Sequence, residues 1–224
     1  MAIRALIFDF DGLILDTETP ELLAWQEIYR QHGNELPIKV WADCIGRPHG
    51  YFDPYAYLEE LSGRQVDREV MRARRRVIRR ELLAKEGPLP GVETYLREAR
   101  EMGLKVAVTS SSPTEWVGGH LDRLGLSHLF DCLTCAEHTT THKPDPAPYL
   151  CALRCLSVKA SEAFAMEDSP NGVKSAKAAG LYCVAVPNSV TGTLDLSEAD
   201  TILPSLESLS LAALIDRIET TASR

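Results

Sequence analysis

Five short, nearly continuous apolar segments recur along this 224-residue chain, at residues 3–8, 104–111, 130–137, 163–168 and 181–187. The helical patterns that precede or separate the later segments lie at residues 91–103, 113–125, 146–156 and 170–180. Apolar strands that alternate with helices are typical of a parallel sheet covered on both faces, because parallel strands need helical crossovers. We therefore predict an α/β fold with a Rossmann-like, doubly wound parallel sheet.

Residues 17–86 depart from this alternation. Helical patterns fill the segment without a convincing strand, at residues 18–33, 37–45, 51–62 and 66–85. We interpret this part of the chain as a helical cap domain that is inserted after the first strand and lies over the sheet edge, with hinges near Asp16 and at residues 87–91. The core domain then consists of residues 1–16 and 87–224.

The composition disfavours several classes of function. The net charge of −8 argues against a general nucleic-acid partner, which would favour a basic surface. The chain has no run of about 18 apolar residues, which a membrane span requires, and its first residues lack a signal-peptide cleavage site. We expect a cytoplasmic protein with no nucleic-acid or membrane partner, and we take a monomer as the default oligomeric state.

The six cysteines are interpreted as reduced thiols, as expected in the cytoplasm. The spacings Cys132-x2-Cys135 and Cys151-x3-Cys155 come close to that of a zinc ribbon. In a strand, however, Cys132 and Cys135 would point to opposite faces, whereas structural zinc needs four convergent ligands. We therefore disfavour zinc and interpret Cys151 and Cys155 as core packing of a helix.

Polar side chains stand where the apolar segments end. They are Asp9, Asp11, Ser110, Glu167 and Asp168, and Lys143 lies between the third segment and the helix that follows it. The carboxyl ends of parallel strands share one edge of the sheet, and ligands of open α/β sheets bind beyond that edge. Carboxylates beside buried strands need a partner, because an unpaired buried ion is costly. The sequence thus predicts one site at this edge.

The predicted helix starts add donors to the same edge. SPTE, from Ser112, fits a capping box with proline at the first helical position, and Asp145-Pro146 and Ser169-Pro170 are similar starts. A helix start directs N–H groups and the positive end of the helix dipole toward a ligand, which favours an anion. Carboxylates together with anion-binding donors fit a phosphate that is bridged to the acids by Mg²⁺, a hard ion that prefers oxygen ligands.

Four stretches resemble the motifs of the haloacid dehalogenase superfamily of hydrolases, in the family's order and at its approximate spacings. They are DFDGLILDT from Asp9, VTSSS with Ser110, Lys143-Pro144, and EDSPNG from Glu167. The resemblance spans essentially the whole chain. The helical insertion between the first two motifs resembles the β-phosphoglucomutase-like phosphatase branch of subfamily I. The resemblance implies a Mg²⁺-dependent phosphatase for a small phosphorylated metabolite of the sugar-phosphate type.

The resemblance also implies catalytic roles. Asp9 would be the nucleophile that forms an aspartyl-phosphate. Asp11 would protonate the leaving oxygen and then accept a proton from the attacking water, a role that favours phosphate transfer over dehalogenation. Ser110 would hydrogen-bond the phosphoryl oxygens, and Lys143 would offset the charge of the nucleophile and the phosphoryl group.

The implied metal site has three ligands. The Asp9 carboxylate, the Asp11 backbone carbonyl and the Asp168 carboxylate would hold Mg²⁺. Glu167 would either bind the ion directly or act through a water molecule, and the sequence leaves both alternatives open.

The cap contains four candidates for substrate binding, namely Glu21, Arg47, Arg75 and Arg76. The arginines at 75 and 76 belong to the run MRARRRVIRR, and such a run is usually a solvated helix face. Arginine is nevertheless suited to bidentate binding of an anion, so either of these two is a candidate for gripping an anionic substrate. Arg47 lies in a predicted cap loop and is the weaker candidate.

Other functions remain as alternatives. The β-phosphoglucomutases of this branch carry a histidine at the position of Glu21, so the glutamate favours hydrolysis over a mutase-type phosphotransferase. A non-catalytic phosphometabolite binder is a second alternative, which the complete set of site residues disfavours. Phosphonate hydrolysis would need a cap lysine, and the cap has few, chiefly Lys39 and Lys85.

Overall fold

The computed structural model describes residues 2–42 and 52–221, with only the backbone of Ala42. Within these residues, six parallel strands form one sheet in the order β3-β2-β1-β4-β5-β6. The strands are β1 (Ala5–Asp9), β2 (Lys105–Thr109), β3 (Cys132–Thr134), β4 (Ala163–Glu167), β5 (Tyr182–Ala185) and β6 (Thr201–Ile202). The predicted parallel α/β sheet is confirmed.

The helices fall into two groups along the chain. Those between β1 and β2 are α1 (Glu18–Gln31), α2 (Ile38–Ala42), α3 (Pro54–Ser62), α4 (Arg68–Leu83) and α5 (Val92–Glu101). Those after β2 are α6 (Thr114–Arg123), α7 (Ala147–Leu156), α8 (Pro170–Ala178) and α9 (Leu211–Thr221). Each predicted helix of the alternating region is present and begins or ends within a few residues of its predicted limits.

The central strand is buried on both faces. Ala5 and Ile7 face a core cluster that contains Tyr149 of α7 and Val173 of α8. Side chains alternate along a strand, so Leu6 and Phe8 point to the opposite face of the sheet. All five residues of β1 are buried, which explains why the strand reads as a continuous apolar run.

The chain divides into two compact units. One contains residues 1–15, 87–188 and 194–224, and this core unit holds the sheet. The other contains residues 16–86 together with residues 189–193, a short segment that follows β5. The helical unit is therefore built from two separate stretches of the chain.

The helical unit has an apolar core of its own. Trp25, Ile28 and Tyr29 of α1 pack with Leu58 of α3 and Met71 of α4. Both α3 and α4 start with a true cap, since Asp53 and Asp67 each accept hydrogen bonds from two backbone N–H groups of the first turn. The helical interpretation of this segment agrees with the elements observed in its described residues, and residues 43–51 lie outside them.

Two predictions about the cysteines are wrong: Cys155 is exposed and not packed in the core, and it is not a reduced thiol. Cys132 and Cys155 form a disulfide with Cα atoms 6.3 Å apart, so these two are not reduced thiols. The helix α7 packs on β3, which brings Cys155, near the end of α7, beside the first residue of β3. Cys135 lies after the end of β3, and Cys135, Cys151 and Cys183 are free thiols.

None of the helices in the described ranges is both long enough and apolar enough to cross a membrane.

Candidate active site

The first strand delivers two carboxylates to the carboxyl edge of the sheet. Asp9 is the last residue of β1 and only 6% exposed, and Asp11 is half-buried in the turn that follows. The turn depends on Gly12, whose φ of +84° lies in the left-handed region that favours glycine. The Gly12 N–H donates to the carbonyl of Leu15, which closes the turn.

Lys143 lies at the centre of the site. Its ammonium donates to Asp9 Oδ1, to the carbonyl of Thr109 at 3.0 Å and to Glu167 Oε1 at 2.6 Å. The same ammonium lies 5.1 Å from the centroid of the Tyr149 ring. The structure thus brings Asp9, Lys143 and Glu167, which are far apart in the sequence, into one buried cluster.

Glu167 is fully buried, and both of its oxygens are occupied. Oε1 accepts from Lys143 and also from the Tyr149 hydroxyl at 2.6 Å. Oε2 accepts from the Asp168 N–H and from Ser169 Oγ, both at 3.3 Å. The contacts explain why an acid can lie inside the core, because a buried charge is tolerated only when it is paired and hydrogen-bonded.

The burial of this cluster affects the pKa values of its members. Burial, then the nearby Glu167 carboxylate, raise the pKa of Asp9 well above its usual value, although Lys143 acts in the opposite direction. Burial by itself would lower the pKa of Lys143, but Asp9 and Glu167 outweigh it and raise that pKa. The pKa of Tyr149 is raised by burial and by Glu167, so its hydroxyl keeps its proton and donates.

The Asp168 carboxylate is held by a residue that the sequence analysis did not identify. Asn188 Nδ2 donates to Asp168 Oδ2 at 2.8 Å and to the Gly12 carbonyl at 3.0 Å. A Cβ atom on Gly12 would lie 2.2 Å from Asp168 Oδ2, so only glycine leaves room for the carboxylate there. Asn188 follows β5, and a search of every strand end for polar residues would have found it.

A divalent cation fits this set of residues. Buried oxygens of Asp9, Glu167 and Asp168 lie within 4.8 Å of one another. The ammonium of Lys143 contacts two of these carboxylates, those of Asp9 and Glu167, and uncompensated negative charge in a buried site is unfavourable. Carboxylate oxygens are the ligands that Mg²⁺ prefers. Since Glu167 already accepts hydrogen bonds on both oxygens, Asp9 and Asp168 are the carboxylates better placed to bind a metal ion.

The Asp11 carboxylate has a hydrogen-bonding network of its own. Oδ2 accepts from Ser110 Oγ at 3.0 Å and from Ser112 Oγ at 2.7 Å. Oδ1 accepts from Trp116 Nε1 at 3.0 Å. Ser110 is 3% exposed, and its hydroxyl points to Asp11 in this structure.

The predicted capping box at Ser112 is wrong. The cap residue of α6 is Pro113, which lacks a side-chain cap, because the Ser112 hydroxyl donates to Asp11 instead. The first N–H of the helix, that of Thr114, donates to both oxygens of Glu137 at 3.1 Å. At α8 the prediction is confirmed, since Ser169 Oγ accepts from the Gly172 N–H at 3.2 Å.

Two of the cap candidates lie together in the helical unit. Glu21 of α1 forms ion pairs with Arg75 and with Arg79, both of α4, the latter at 3.1 Å. The Arg75 guanidinium also lies 5.2 Å from the Trp25 ring centroid, and its Nε is buried without a hydrogen-bond partner among the described residues. Burial, then the charges of Arg79 and Arg76, lower the pKa of Arg75.

Arg76 is not part of this ion-pair network among the described residues. Arg76 is exposed on α4. Arg47 lies outside the described residues.

The sequence analysis did not identify Tyr149 and Trp116 as site residues. An aromatic residue within a helical pattern is more often part of the core than of a site, and the residues around these two give no further signal.

The chain matches known proteins over most of its length. Residues 6–186 match the family described as haloacid dehalogenase-like hydrolase. YhcW of Bacillus subtilis (strain 168) is 45% identical over 216 residues, which cover 96% of this chain and 98% of YhcW. The fructose-1-phosphate phosphatase YqaB of Escherichia coli (strain K12) is 31% identical over 182 residues, 81% of this chain and 95% of YqaB.

The solved structures agree with the fold. The crystal structure of CbbY from Rhodobacter sphaeroides in complex with phosphate matches with a TM-score of 0.71 and 25% sequence identity. The match covers 95% of this chain and 99% of CbbY. The likeness therefore includes both the sheet and the inserted helical segment.

Proposed function

Because the chain belongs to the haloacid dehalogenase-like hydrolases, we propose that it hydrolyses small phosphate monoesters of the sugar-phosphate type through an aspartyl-phosphate. The observation that carries the proposal is the contact of Lys143 with Asp9 and Glu167 at the carboxyl edge of the sheet. Asp9, the proposed nucleophile, lies beside the buried ammonium of Lys143, and Asp11, a second acid, lies two residues further along the chain.

In the first step, one Asp9 oxygen attacks phosphorus while the bond to the leaving oxygen breaks. Lys143 offsets negative charge on Asp9 and on the transferred group, and catalysis of this kind depends largely on positioning and charge stabilisation. In the second step, a water molecule attacks the aspartyl-phosphate, which releases inorganic phosphate and restores Asp9.

Asp11 exchanges one proton in each step. It gives a proton to the leaving oxygen in the first step and takes one from the attacking water in the second. Ser110 is proposed to contact the phosphoryl oxygens, and this role requires its hydroxyl to turn away from Asp11, to which it donates in the structure.

The proposed cofactor is Mg²⁺. The side chains of Asp9 and Asp168 and the backbone carbonyl of Asp11 would hold it, and Asn188 would keep Asp168 in place. The ion would neutralise part of the phosphate charge. We assign Glu167 to the support of Lys143 rather than to direct metal binding, because its oxygens are occupied by hydrogen bonds.

Relatives support a sugar-phosphate substrate class. YqaB is named as a fructose-1-phosphate phosphatase, and a 30% identical protein of Thermotoga maritima is named as a phosphorylated carbohydrates phosphatase. We propose that residues 16–86 act as the cap domain and that Glu21 and Arg75 take part in substrate recognition. Arg47 and Arg76 remain further candidates for the same role.

A small phosphate ester is the proposed partner, and the proposed oligomeric state is a monomer. We propose a cytoplasmic location, because phosphorylated sugars are made with ATP inside the cell. The Cys132–Cys155 disulfide weighs against this location. Alkylation of free thiols at the moment of cell lysis, followed by intact-protein mass spectrometry, decides whether the disulfide exists inside the cell.

The proposal is tested by phosphate release from 4-nitrophenyl phosphate and from a panel of phosphorylated sugars, with Mg²⁺ and with EDTA. We expect release by the wild type that needs Mg²⁺ and is lost in Asp9→Asn. Phosphate release that persists undiminished in Asp9→Asn would refute the aspartyl-phosphate. Binding of the sugar phosphates without release from any compound would favour a non-catalytic binder.

The mutase alternative has a separate readout. Glu21 stands where a mutase would carry histidine, so we expect glucose 1,6-bisphosphate to yield inorganic phosphate. Sustained conversion of β-glucose 1-phosphate to glucose 6-phosphate, followed by nuclear magnetic resonance, would instead establish phosphotransferase activity.

A further inference from the structure

The two oxygens of the Asp11 carboxylate have chemically different partners. Oδ1 faces Trp116 Nε1 at 3.0 Å, whereas Oδ2 faces the hydroxyls of Ser110 and Ser112 at 3.0 and 2.7 Å. An indole N–H can only donate, but a hydroxyl can donate or accept. A proton on Oδ1 would therefore point at the indole N–H proton of Trp116. A proton on Oδ2 can be donated to the oxygen of Ser110 or Ser112 once that hydroxyl rotates.

We propose that Trp116 is a positioning residue that orients the Asp11 carboxyl group and keeps its transferable proton on Oδ2. The inference rests on the proposed function. As the bond between phosphorus and the leaving oxygen breaks, the proton moves from Oδ2 to that oxygen and leaves Asp11 as a carboxylate. When water attacks the aspartyl-phosphate, a water proton returns to Oδ2, so the cycle is balanced.

Trp116 is itself held in place by its neighbours. It lies in the first turn of α6, and its ring packs edge-on against His120, one turn further along, with centroids 4.3 Å apart. The His120 ring in turn lies 6.2 Å from the ring of Phe10, the residue between the two aspartates. An indole fixed by such packing presents its N–H to Asp11 in one orientation, as a supporting residue of an active site must.

A packing role alone does not account for this geometry. The indole N–H donates to one oxygen of the Asp11 carboxyl group and leaves the other to the two hydroxyls, a selection that packing by itself does not require. The contact also joins α6 to the turn after β1, which are over 100 residues apart in the sequence. The hydrogen bond therefore ties the orientation of Asp11 to a helix that flanks the sheet.

The test is Trp116→Phe, which keeps an aromatic ring beside His120 but removes the N–H donor together with the five-membered ring of the indole. The readout is kcat/KM for two classes of ester, alkyl phosphates and 4-nitrophenyl phosphate. An alkoxide needs a proton as it leaves, whereas 4-nitrophenolate leaves without one. We expect kcat/KM for alkyl phosphates to fall about 10- to 100-fold and that for 4-nitrophenyl phosphate to change less than about threefold.

Trp41→Phe is the matched control, because the Trp41 indole N–H is buried without a hydrogen-bond partner among the described residues. Trp41→Phe should leave kcat/KM unchanged for both classes of ester. Asp11→Asn should show the same dependence on the leaving group with a larger loss. The double variant Asp11→Asn, Trp116→Phe should be no slower than Asp11→Asn, because Trp116 acts through Asp11.

If Trp116→Phe lowers kcat/KM equally for both classes of ester, or for neither class, the proposed role of Trp116 is overturned. If Asp11→Asn lowers kcat/KM equally for both classes of ester, or if the wild type hydrolyses no ester, the proposed function is refuted instead. If Trp116→Phe does not fold, 3-benzothienylalanine at this position replaces the N–H by sulfur in the same bicyclic shape, and the same outcomes decide.

Discussion

Lys143 Nζ lies 2.6 Å from Glu167 Oε1 in a place where the two side chains are 7% and 0% exposed. The pair is not isolated, since Asp9 accepts from the same ammonium and Tyr149 donates to the same carboxylate. A buried ion pair contributes little net stability when intact, but the loss of one member leaves a buried charge without compensation. Lys143 therefore serves both the fold and the proposed chemistry.

Lys143→Met should reduce phosphate release about 100- to 1,000-fold, because charge on Asp9 and the phosphoryl group is no longer offset. In EDTA it should lower the free energy of unfolding by about 3–5 kcal/mol at pH 8. Burial and Glu167 already raise the pKa of Asp9, so the folded variant gains a proton as pH falls and stability recovers toward pH 5. Urea unfolding at both pH values measures this.

The control for this prediction is Lys177→Met, which removes an exposed ion pair with Asp200. It should change stability by less than about 1 kcal/mol at either pH. A Lys143 variant that is as stable as this control at pH 8 would contradict the coupling of Lys143 to the two buried carboxylates.

Asn188→Leu should weaken Mg²⁺ binding about 10- to 100-fold, because residues that orient a metal ligand commonly contribute that much. The physical reason is the loss of the donor that holds Asp168 Oδ2. Isothermal titration of the protein with Mg²⁺, in the absence of substrate, gives the dissociation constant. Asn34→Leu, at a half-buried loop position of the helical unit, is the control, and an equal effect of the two substitutions would contradict the assignment.

Gly12→Ala and Gly33→Ala form a matched pair, since both glycines have positive φ, +84° and +72°. The backbone strain of each alanine costs about 1–2 kcal/mol. A Cβ at Gly33 meets open space, but at Gly12 it would meet the Asp168 carboxylate. Gly12→Ala should therefore be about 1–3 kcal/mol less stable than Gly33→Ala, as measured by urea unfolding. Equal stabilities would show that Asp168 moves aside freely.

Arg75→Ala should raise KM for a sugar phosphate about 10- to 100-fold, as expected when a charged hydrogen-bond donor to the substrate is lost. Arg72→Ala on the same helix is the control, because Arg72 makes an exposed ion pair with Glu69. Steady-state kinetics on both variants, with melting temperatures alongside, separates binding from folding. An unchanged KM in Arg75→Ala would leave the ion pair to Glu21 a purely structural role.

Reduction of the Cys132–Cys155 disulfide should lower the free energy of unfolding by about 3 kcal/mol, the chain-entropy value for a loop of this length. Urea unfolding with and without dithiothreitol measures the loss. Cys155→Ser lacks the Cys132–Cys155 bond, so its free energy of unfolding should not respond to dithiothreitol. If dithiothreitol leaves the free energy of unfolding of the wild type unchanged as well, the disulfide does not form in solution.

The sheet could be predicted because its central strands are buried on both faces and leave continuous apolar runs. β6, of two residues, is too short to leave any pattern. The helix α9 was not assigned, although its buried residues recur at helical spacing: Leu211, Leu214, Ile215 and Ile218.

The candidate site was predictable where a polar residue interrupts an apolar pattern. Asp9 and Glu167 do so at the ends of β1 and β4, and parallel topology brings them to one edge. Lys143 lies in a polar loop, and it was identified by its place before Pro144 at that edge and by the family resemblance. Trp116 and Tyr149 lie in helices, where a pattern of apolar residues hides their polar atoms. The disulfide could not be predicted, because cysteine connectivity depends on which helix packs beside which strand.

The separate stretch 189–193 has a consequence for protein engineering. A shortened enzyme without the helical unit is not obtained by deleting residues 16–86 and joining Leu15 to Gly87, because residues 189–193 belong to that unit as well. Val190 and Thr191 are each 1% exposed in the intact chain. The deletion would uncover Val190, so a soluble truncated form needs a redesigned linker between Asn188 and Leu194 in addition to the excision.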